Sequence, residues 1–491
     1  MKIAFLPADG RPITRDAFLA LAGIGGIEVL TPPREWLGHL KTPANVDRLW
    51  QWVDGPAREA DALIASAELL LYGGLVPSRI GHEPLDRLLS FTGRFEEIRR
   101  RAPHRRVLLA ASNMRLPSIS DATEEPTYWA SHGAEIFTYS FHSDRYAQTQ
   151  NLASRGEADA AKAKIPPTVL GDVRSRRARN LTVLLSLVDL AAAGVLDALL
   201  IGQDDAAEYG WTRRDLQAVH TAIRERGAGR RAWVTYGTDE LTARLLGRVV
   251  VAARGGSPRV RVVYSYPDNR GGIPRYEGQG LDQTVTSHIE TAGCRRTEEE
   301  ADLTLFVHNF PGAQDEAPRQ RIQDARELDG FFQRIAEAAM RGPCGLADVR
   351  YANGADRTLI TRLLAAAWVD EPRAYGGWNT ASNTLGMVLT QALLPLNPQS
   401  RAFTILRLLE DWAYQTEIRQ RLAAEVLPKF PAAAPDDLGE AYGACQTATL
   451  DWLTRVFVPP VERSFHRKIT IERVEFPWRR LFNVDLGVRV E

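Results

Sequence analysis

Cysteine is scarce in this chain, and neither sign of charge is in excess. The 491 residues include only three cysteines, Cys294, Cys344 and Cys445. Because they are odd in number and far apart, the sequence predicts neither a disulfide framework nor a structural zinc site. Lys plus Arg and Asp plus Glu both number 61, so the formal net charge is zero. Such a balance gives no long-range attraction to nucleic acid or to an anionic membrane, and we expect neither partner.

Long hydrophobic runs and several familiar motifs are also missing. No stretch approaches the roughly 20 apolar residues of a membrane span, and the first apolar run, 3–8, is too short for a secretory signal. We therefore expect a reduced, cytoplasmic protein. A Walker loop, a GxGxxG turn after the first strand, a nucleophile elbow and an HExxH helix are all absent. Nucleotide hydrolysis, dinucleotide redox chemistry and zinc proteolysis therefore have little support, and no cofactor is expected.

The pattern that dominates the chain is a short apolar run that ends in polar or glycine residues and is followed by a helical segment. Such runs are typical of strands buried on both faces of a parallel sheet. Eight strands are predicted, at 3–8, 69–71, 107–111, 199–201, 233–236, 260–266, 303–307 and 346–351. Helices are predicted between them, at 84–102, 180–193, 212–226 and 318–340.

This alternation predicts an α/β fold. Eight strands would close a (β/α)8 TIM-like barrel over residues 1–388, with every polar strand end on the catalytic face. Three further segments, 27–30, 136–139 and 374–376, are also candidate short strands and complicate the count. Two doubly wound α/β domains, divided near residues 252–258, therefore stay open as an alternative. Residues 389–491 are predicted to form a mostly helical C-terminal region, with helices at 403–425 and 438–455.

The most informative polar strand end is Asp204-Asp205. An apolar strand delivers these two adjacent carboxylates, preceded by Gln203, to its carboxyl end, where parallel α/β folds bind ligands. Crowded carboxylates separate their pKa values, so one can act as an acid and the other as a base near neutral pH. A plainer interpretation is that one Asp caps the next helix and the other meets water.

Other strand ends carry residues that suit a sugar ligand. Carboxylates and amides bind hydroxyl groups in pairs, and an aromatic face covers a sugar ring. The candidate substrate-binding residues are Asp9, Arg11, Asn113, Tyr236, Asp268, Asn269, Trp378 and Asn379. Each has a structural alternative, as a turn residue, a helix cap or a packed core side chain.

Three segments carry a resemblance to a known family. They read IGQDDA at 201–206, YPDNRGG at 266–272 and GWNTASNTLG at 377–386. On these motifs the whole chain resembles the uncharacterised bacterial domain-of-unknown-function family 4127 (DUF4127). That resemblance implies no reaction.

A second resemblance covers only the Asp-Asp strand end. An apolar strand that ends in Asp-Asp, inside a barrel of this size, is similar to the catalytic pair of glycoside hydrolase family 84. The resemblance implies that Asp204 holds the N–H of a substrate 2-acetamido group while Asp205 protonates the leaving oxygen. The acetamide oxygen would then attack the anomeric carbon, which is a substrate-assisted exception to the two-carboxylate scheme. The sequence departs from that family at Gln203, where an apolar or aromatic residue is usual.

The resulting hypothesis is a retaining β-N-acetylhexosaminidase-like glycoside hydrolase that acts on a small saccharide. Two alternatives stay open. A Mg²⁺- or Mn²⁺-dependent hydrolase would use oxygen-rich ligands, drawn from Asp9, Asp204, Asp205, Asp239 and His308. A non-catalytic sugar-binding protein would use the same polar cleft without turnover. The sequence does not distinguish a monomer from a homodimer.

Overall fold

A computed structural model describes residues 1–204, 207–320, 325–366 and 374–491. Its two large sheets are parallel throughout and are connected by helices, which confirms the α/β class. None of the helices in these described ranges combines the length and the apolar character that crossing a membrane would require.

The secondary structure consists of fifteen described strands and eighteen described α-helices, with short 3₁₀ and π-helical segments. The strands are β1 (Lys2–Leu6), β2 (Glu28–Leu30), β3 (Ala62–Ser66), β4 (Arg106–Asn113), β5 (Ala198–Gln203), β6 (Ala232–Tyr236), β7 (Arg259–Tyr264), β8 (Arg295–Arg296), β9 (Leu303–His308), β10 (Asp315–Glu316), β11 (Cys344–Asp348), β12 (Tyr351–Ala352), β13 (Ala374–Gly376), β14 (Ile469–Glu475) and β15 (Asp485–Val490). The helices are α1 (Asp16–Ile24), α2 (Val46–Asp54), α3 (Ala67–Tyr72), α4 (Leu75–Ile80), α5 (Leu85–Arg101), α6 (Trp129–Thr149), α7 (Leu152–Ala163), α8 (Pro167–Ala192), α9 (Trp211–Glu225), α10 (Leu241–Arg254), α11 (Leu281–Thr291), α12 (Asp329–Arg341), α13 (Arg357–Ala365), α14 (Ala381–Ala392), α15 (Pro398–Arg407), α16 (Arg419–Arg421), α17 (Tyr442–Trp452) and α18 (Val458–Phe465).

The chain divides into two compact units, and both are discontinuous in sequence. The first unit comprises residues 1–10, 27–245 and 276–278. The second unit comprises residues 11–26, 246–275 and 279–491. These units divide the chain near residue 245, whereas the sequence predicts a boundary near residue 388. The four helices α15–α18 and the antiparallel pair β14 and β15 belong to the second unit.

The strands form two large sheets, so the single (β/α)8 barrel is not confirmed. A barrel requires its first and last strands to pair. Here β1 pairs with β2 and β3, while the later strands β7–β9, β11 and β13 form a sheet of their own. The alternative of two α/β domains describes this arrangement better, because it needs no closure between the first strands and the last.

In the first unit the strand order is β2-β1-β3-β4-β5-β6. The order reverses at β1 and β3, and ligands of open parallel sheets bind beyond the carboxyl ends of the strands near such a reversal. Every residue of β3 and β5 is buried, as is Ile3–Leu6 of β1. Burial on both faces explains why these strands read as continuous apolar runs.

The second unit repeats the same order. Counted from β7, its five-stranded sheet runs second, first, third, fourth, fifth, as β8-β7-β9-β11-β13. The reversal lies between β7 and β9, which pair from Val260↔Leu303 to Tyr264↔Val307. The next strand, β11, pairs with β9 so that Asp348 lies opposite His308.

Some predicted strands are helices in the structure. The run 69–71 lies in α3, and the strand that precedes it is β3. The segment 136–139 lies within α6, so its interpretation as a strand was wrong. The short strands at 27–30 and 374–376 are confirmed as β2 and β13.

Candidate functional site

The carboxyl edge of the first sheet presents a row of polar side chains. Asn113, Gln203 and Tyr236 end three neighbouring strands and lie opposite one another in register. Asn113 and Gln203 are buried, and the Asn113 Nδ2 donates a hydrogen bond of 2.9 Å to the Thr212 carbonyl. Asp204 follows Gln203 directly, so the sequence placed this carboxylate correctly at the edge of the sheet.

Two arginines lie on either side of the Asp204 carboxylate. Arg79 Nη2 lies 3.7 Å from Asp204 Oδ2, and Arg115 Nη1 lies 3.8 Å from the same oxygen. Arg79 comes from α4, whereas Arg115 comes from the loop after β4. Both guanidinium groups therefore lie within ion-pair distance of Asp204 and help to hold its carboxylate in place.

Glu124 and Glu125 complete this group, which we call the Asp204 cluster: Arg79, Arg115, Glu124, Glu125 and Asp204. Arg115 Nε donates to Glu125 Oε1 at 2.7 Å, and Arg79 Nη1 donates to Glu124 Oε2 at 3.1 Å. Arg115 Nη2 also lies 3.3 Å from Glu124 Oε2. Three carboxylates thus share two arginines, and the cluster carries one formal negative charge.

Asp204 is the member of the cluster that solvent reaches best. Its side chain is 25% exposed, compared with 4% for Arg79 and 2% for Glu125. Arg79 and Glu125 are therefore the buried members of the cluster, and Asp204 is its most accessible carboxylate.

A glycine pair between α3 and α4 places Arg79. Gly73 and Gly74 both have positive φ, 81° and 143°. A Cβ atom at position 73 would lie 2.8 Å from the Ala44 carbonyl oxygen and 2.8 Å from Pro43 Cβ. Only glycine takes this turn without strain, and the turn starts the short helix that carries Arg79.

Glu68 is a buried carboxyl group at the same edge, one turn after β3. Its Oε2 accepts from Ser66 Oγ at 2.7 Å, and its Oε1 accepts from the Ser112 N–H at 2.5 Å. Burial raises the pKa of Glu68 above its ordinary value, although these two hydrogen bonds oppose the shift. The sequence prediction missed Glu68 because it interpreted the following apolar run as a strand. A helix begins there, and its first turn holds the carboxyl group.

An open cavity of about 470 Å³ adjoins the Asp204 cluster and shares Glu125 with it. Its lining includes Tyr128, whose hydroxyl donates to Asp172 Oδ2 at 2.6 Å. Arg176 also lines the cavity and donates to both oxygens of Asp172, at 2.7 and 2.6 Å. The lining is mostly apolar with a few polar groups, and a cavity of this kind and size fits a small ligand.

Two further predicted residues, Asp9 and Tyr236, belong to the first unit. Asp9 lies beyond the end of β1 and is 7% exposed. Tyr236 ends β6, and burial raises the pKa of its hydroxyl to about 12, with a smaller contribution from the charge of Glu277. Both residues therefore lie beyond or at strand ends of the sheet that carries the Asp204 cluster.

Residues 3–487 match the family described as "Protein of unknown function (DUF4127)". The chain belongs to this family. The match spans nearly the whole chain and confirms the family resemblance drawn from the three motifs. No curated protein and no solved structure matches the chain. Membership of the DUF4127 family implies no particular reaction, so any function must be inferred from the residues of the site.

The second and third DUF4127 motifs lie in the second unit, together with five of the predicted substrate-binding residues. Asp268 is exposed in a 3₁₀ turn, and Asn269 Nδ2 donates to the carbonyls of Phe310 and Gly312, both at 2.8 Å. Asn269 therefore joins two loops, which is the structural alternative to sugar binding.

The remaining three residues of this set are buried or constrained. Arg11 has its guanidinium carbon 4.9 Å from the centre of the Trp478 ring. Trp378 is 7% exposed and packs 5.6 Å from Phe482. Asn379 has φ of 68°, and its carbonyl accepts from the Asn353 N–H at 3.0 Å. Their predicted roles in substrate binding stay predictions.

The predicted Asp204-Asp205 pair and the predicted metal ligands are not brought together within the described residues. Asp205 lies outside the described residues. Asp9, Asp204 and Asp239 belong to the first unit, whereas His308 belongs to the second. Within the described ranges, no group of three or more His, Cys, Asp or Glu side chains is arranged to hold a metal ion.

Proposed function

We propose that this DUF4127 protein is a glycoside hydrolase that cleaves 2-acetamido-2-deoxy-β-glycosides of small saccharides with retention of configuration. The observation that carries the proposal is the position of Asp204. It lies at the carboxyl end of a fully buried parallel strand, fixed by two arginines and still open to solvent. That combination of rigidity and access is what a catalytic carboxylate requires.

Asp204 would polarise the substrate. Its carboxylate accepts the N–H of the 2-acetamido group, which increases the nucleophilicity of the acetamide oxygen. That oxygen attacks the anomeric carbon and displaces the aglycone, so no nucleophile from the protein is needed. Arg79 and Arg115 support this role because both guanidinium groups lie within ion-pair distance of the carboxylate and hold it in place.

Asp205 would serve as the general acid and then as the general base. It protonates the leaving oxygen in the first step and takes a proton from water in the second. Its adjacency to Asp204 in sequence supports the assignment. The cavity beside Glu125 is the proposed sugar site, with Tyr128 as the aromatic face.

The test is turnover of 4-nitrophenyl β-GlcNAc and β-GalNAc by the wild type, Asp204→Asn and Asp205→Asn. We expect the wild type to release nitrophenol from at least one substrate. Each variant should lose a factor on the order of 10² or more in kcat. Azide should restore part of the rate of an Asp205→Ala variant, since it can replace a missing acid/base carboxylate.

Asp197→Asn is the matched control. Asp197 precedes the same strand at its opposite end and pairs with Arg99 at 2.5 Å, so it is also an arginine-bound Asp. Its loss should leave kcat unchanged. If the folded wild type cleaves neither substrate, with or without added Mg²⁺ or Mn²⁺, the hexosaminidase proposal is wrong. Saccharide binding without turnover would favour the non-catalytic alternative.

A further inference from the structure

Three side chains that are distant in sequence form one hydrogen-bonded chain at the strand reversal of the second sheet. Ser265 follows β7, His308 ends β9, and Asp356 immediately precedes α13. His308 Nδ1 lies 3.0 Å from Ser265 Oγ, and His308 Nε2 lies 2.8 Å from Asp356 Oδ2. Ligands of open parallel sheets bind near such a reversal.

The carboxylate fixes the direction of the hydrogen bond at the Asp356 end of this chain. Asp356 Oδ1 already accepts from the Thr358 N–H at 2.8 Å, and the pKa of Asp356 lies below its ordinary value: burial opposes this shift, but the hydrogen bond and charge of His308 outweigh burial. A carboxylate can only accept, so His308 Nε2 donates to Asp356. Ser265 Oγ–H donates to Asn309 Oδ1 at 3.2 Å and lies 3.0 Å from His308 Nδ1. When the imidazole is neutral with its proton on Nε2, Nδ1 has a lone pair that can take the serine proton. This is the arrangement that activates a serine nucleophile.

Only one end of the chain is open to solvent. His308 and Asp356 are 0% and 2% exposed, whereas Ser265 is half-buried. The rings of Phe331 and Tyr266 lie 6.0 and 6.3 Å from the imidazole and shield it. A buried base joined to a partly exposed serine is the order that nucleophilic catalysis needs.

The serine hydroxyl is held by a second set of contacts. The Asn309 backbone N–H donates to Ser265 Oγ at 3.1 Å, and Asn309 Oδ1 accepts from the Tyr266 N–H at 2.9 Å. The Asn309 side chain also donates back to the Tyr266 carbonyl at 2.9 Å. These bonds lock the loop after β7 onto the end of β9 and keep Oγ beside the imidazole.

Arg350 supplies a positive charge beside this chain. Its guanidinium carbon lies 5.6 Å from the Tyr266 ring centre, and its charge acts on Asp356. Arg350 is 7% exposed, and its Nε makes no hydrogen bond within the described residues. A buried guanidinium with an unused donor favours an anionic ligand.

We propose that Ser265 and His308, positioned by Asp356, form a second catalytic site that hydrolyses carboxylic esters bearing a negative charge. Ser265 Oγ attacks the ester carbonyl carbon while its proton passes to His308 Nδ1. The tetrahedral intermediate expels the alcohol, which takes that proton, and leaves an acyl-Ser265. Water then attacks the acyl carbon with His308 as base, and the products are the free acid and the original serine.

The test is covalent labelling of the full-length protein with a fluorophosphonate probe, followed by intact mass measurement and peptide mapping. We expect one label per chain, on Ser265, and none in Ser265→Ala. Ser257→Ala is the matched control, because this loop serine of the same unit donates to the Gly293 carbonyl and makes no hydrogen bond to a His among the described residues. It should label at the wild-type rate. Failure of the folded wild type to label, or labelling that survives in Ser265→Ala, would overturn the proposal.

The variant Asp356→Asn tests the proposed catalytic role of Asp356 separately from its structural role as the cap of α13. The amide oxygen of Asn can still accept from the Thr358 N–H, so the cap of α13 is kept. The charged and titratable groups around the imidazole are Asp348, Asp356, Tyr266 and Arg350. Without the Asp356 charge the imidazolium is less favoured, so the acid limb of the labelling rate should move to lower pH. The rate itself should fall by a factor on the order of 10² or more. An unchanged rate and pH profile would contradict the role of Asp356.

The ester preference can be tested with two matched probes, 4-acetoxybenzoate and 4-acetoxybenzamide. We expect the anionic ester to be hydrolysed at least 10-fold faster in kcat/KM than the neutral one. Arg350→Gln should lower kcat/KM for the anionic ester by a larger factor than for the neutral ester, so that the preference is lost. Equal rates for both esters in the wild type would overturn the assignment of an anionic substrate. Loss of glycoside turnover in the Asp204 variants has no bearing on this outcome, because labelling at Ser265 is read independently.

Discussion

Asp348 is a carboxyl group shut off from solvent beside the Ser265–His308–Asp356 chain. It is 1% exposed, and its Oδ2 accepts from the Asp356 N–H at 2.7 Å. Burial raises the pKa of Asp348 to about 7, the charge of Asp356 adds to this rise, and His308 opposes it. Of the two neighbouring acids, Asp348 therefore holds a proton that Asp356 has lost.

The free energy of unfolding should consequently depend on pH through Asp348. In the unfolded chain an Asp releases its proton near pH 3.9, whereas folded Asp348 keeps its proton until about pH 7. Between these values the folded state binds more protons, so the stability due to this group is full below pH 4 and lost as pH rises through 7. Asp348→Asn should abolish that loss. Its free energy of unfolding relative to the wild type should therefore rise by roughly 4 kcal/mol at most between pH 4 and pH 8. Urea unfolding at both pH values measures it.

For Asp302 we expect the opposite dependence of the free energy of unfolding on pH. Hydrogen bonds from Arg259 lower the pKa of this exposed carboxylate. Its contribution to stability is therefore present at neutral pH and is lost as pH falls through the folded pKa. Asp302→Asn should therefore lower the free energy of unfolding relative to the wild type at neutral pH, and this difference should become smaller at acidic pH. A gain for Asp348→Asn that is the same at pH 4 and pH 8 would contradict the assignment.

Some site residues can be predicted because they directly follow a strand. Others reach the site only through the tertiary fold and could not be predicted from the sequence. The sequence placed Asp204 because the apolar run before it ends there. It could not place Arg79, Glu124 and Glu125, since they lie in a short helix and a loop whose approach to the sheet depends on tertiary packing. The sequence named His308 only as a candidate metal ligand. It did not predict the contacts of His308 with Ser265 and Asp356, because three separate segments supply these residues and only the fold brings them together.

Among the elements, the turn between α3 and α4 requires glycine at position 73. Gly73→Ala places a Cβ in the left-handed region and within 2.8 Å of the Ala44 carbonyl oxygen. We expect a loss of about 1–3 kcal/mol in the free energy of unfolding. Turnover at Asp204 should also fall, because the turn places Arg79. Chemical denaturation of the variant measures the first effect.

Gly93→Ala is the matched control for this prediction. Gly93 lies inside α5, and a Cβ there would meet nothing within 4 Å. A helical Gly→Ala change with free space should stabilise the protein by about 0.5–1 kcal/mol. Two alanine substitutions of glycine are thus expected to have opposite signs, and equal effects would show that the turn is not strained.

Elements were predicted best where apolar runs are bounded by polar residues, as at β1, β5 and β9. The run 69–71 was misassigned because a buried helix and a buried strand present the same short apolar pattern. In the structure it follows β3 so closely that strand and helix form one apolar stretch, 62–72. The strand predicted at 136–139 was wrong for a similar reason, since these four residues form one turn of the long helix α6.

At the scale of the whole molecule, each unit has hydrophobic cores of its own. One cluster of buried side chains joins β1, β3, β4 and β5 in the first unit. Two other clusters lie entirely in the second unit. The α/β class followed from local patterns, but barrel closure depends on which strands pair across hundreds of residues, and no local pattern encodes that pairing.

Core truncations should therefore act within their own unit. Leu199 of β5 and Leu305 of β9 are both fully buried. Leu199→Ala and Leu305→Ala should each cost about 2–5 kcal/mol. Hydrogen exchange with mass spectrometry should show faster exchange in first-unit peptides for Leu199→Ala and in second-unit peptides for Leu305→Ala. The same set of accelerated peptides in both variants would contradict separate cores.

The helix α1 has a consequence for how this chain is made. It belongs to the second unit and packs against α15, where Asn397 Nδ2 donates to the Ile24 carbonyl across 373 residues of sequence. A ribosome adds about 5–20 residues per second. At that pace α1 leaves the ribosome roughly 20–75 s before the helix that covers it exists. During that interval Phe18 and Leu21 of α1, both buried in the finished protein, have no α15 to cover them and offer a binding site for a chaperone.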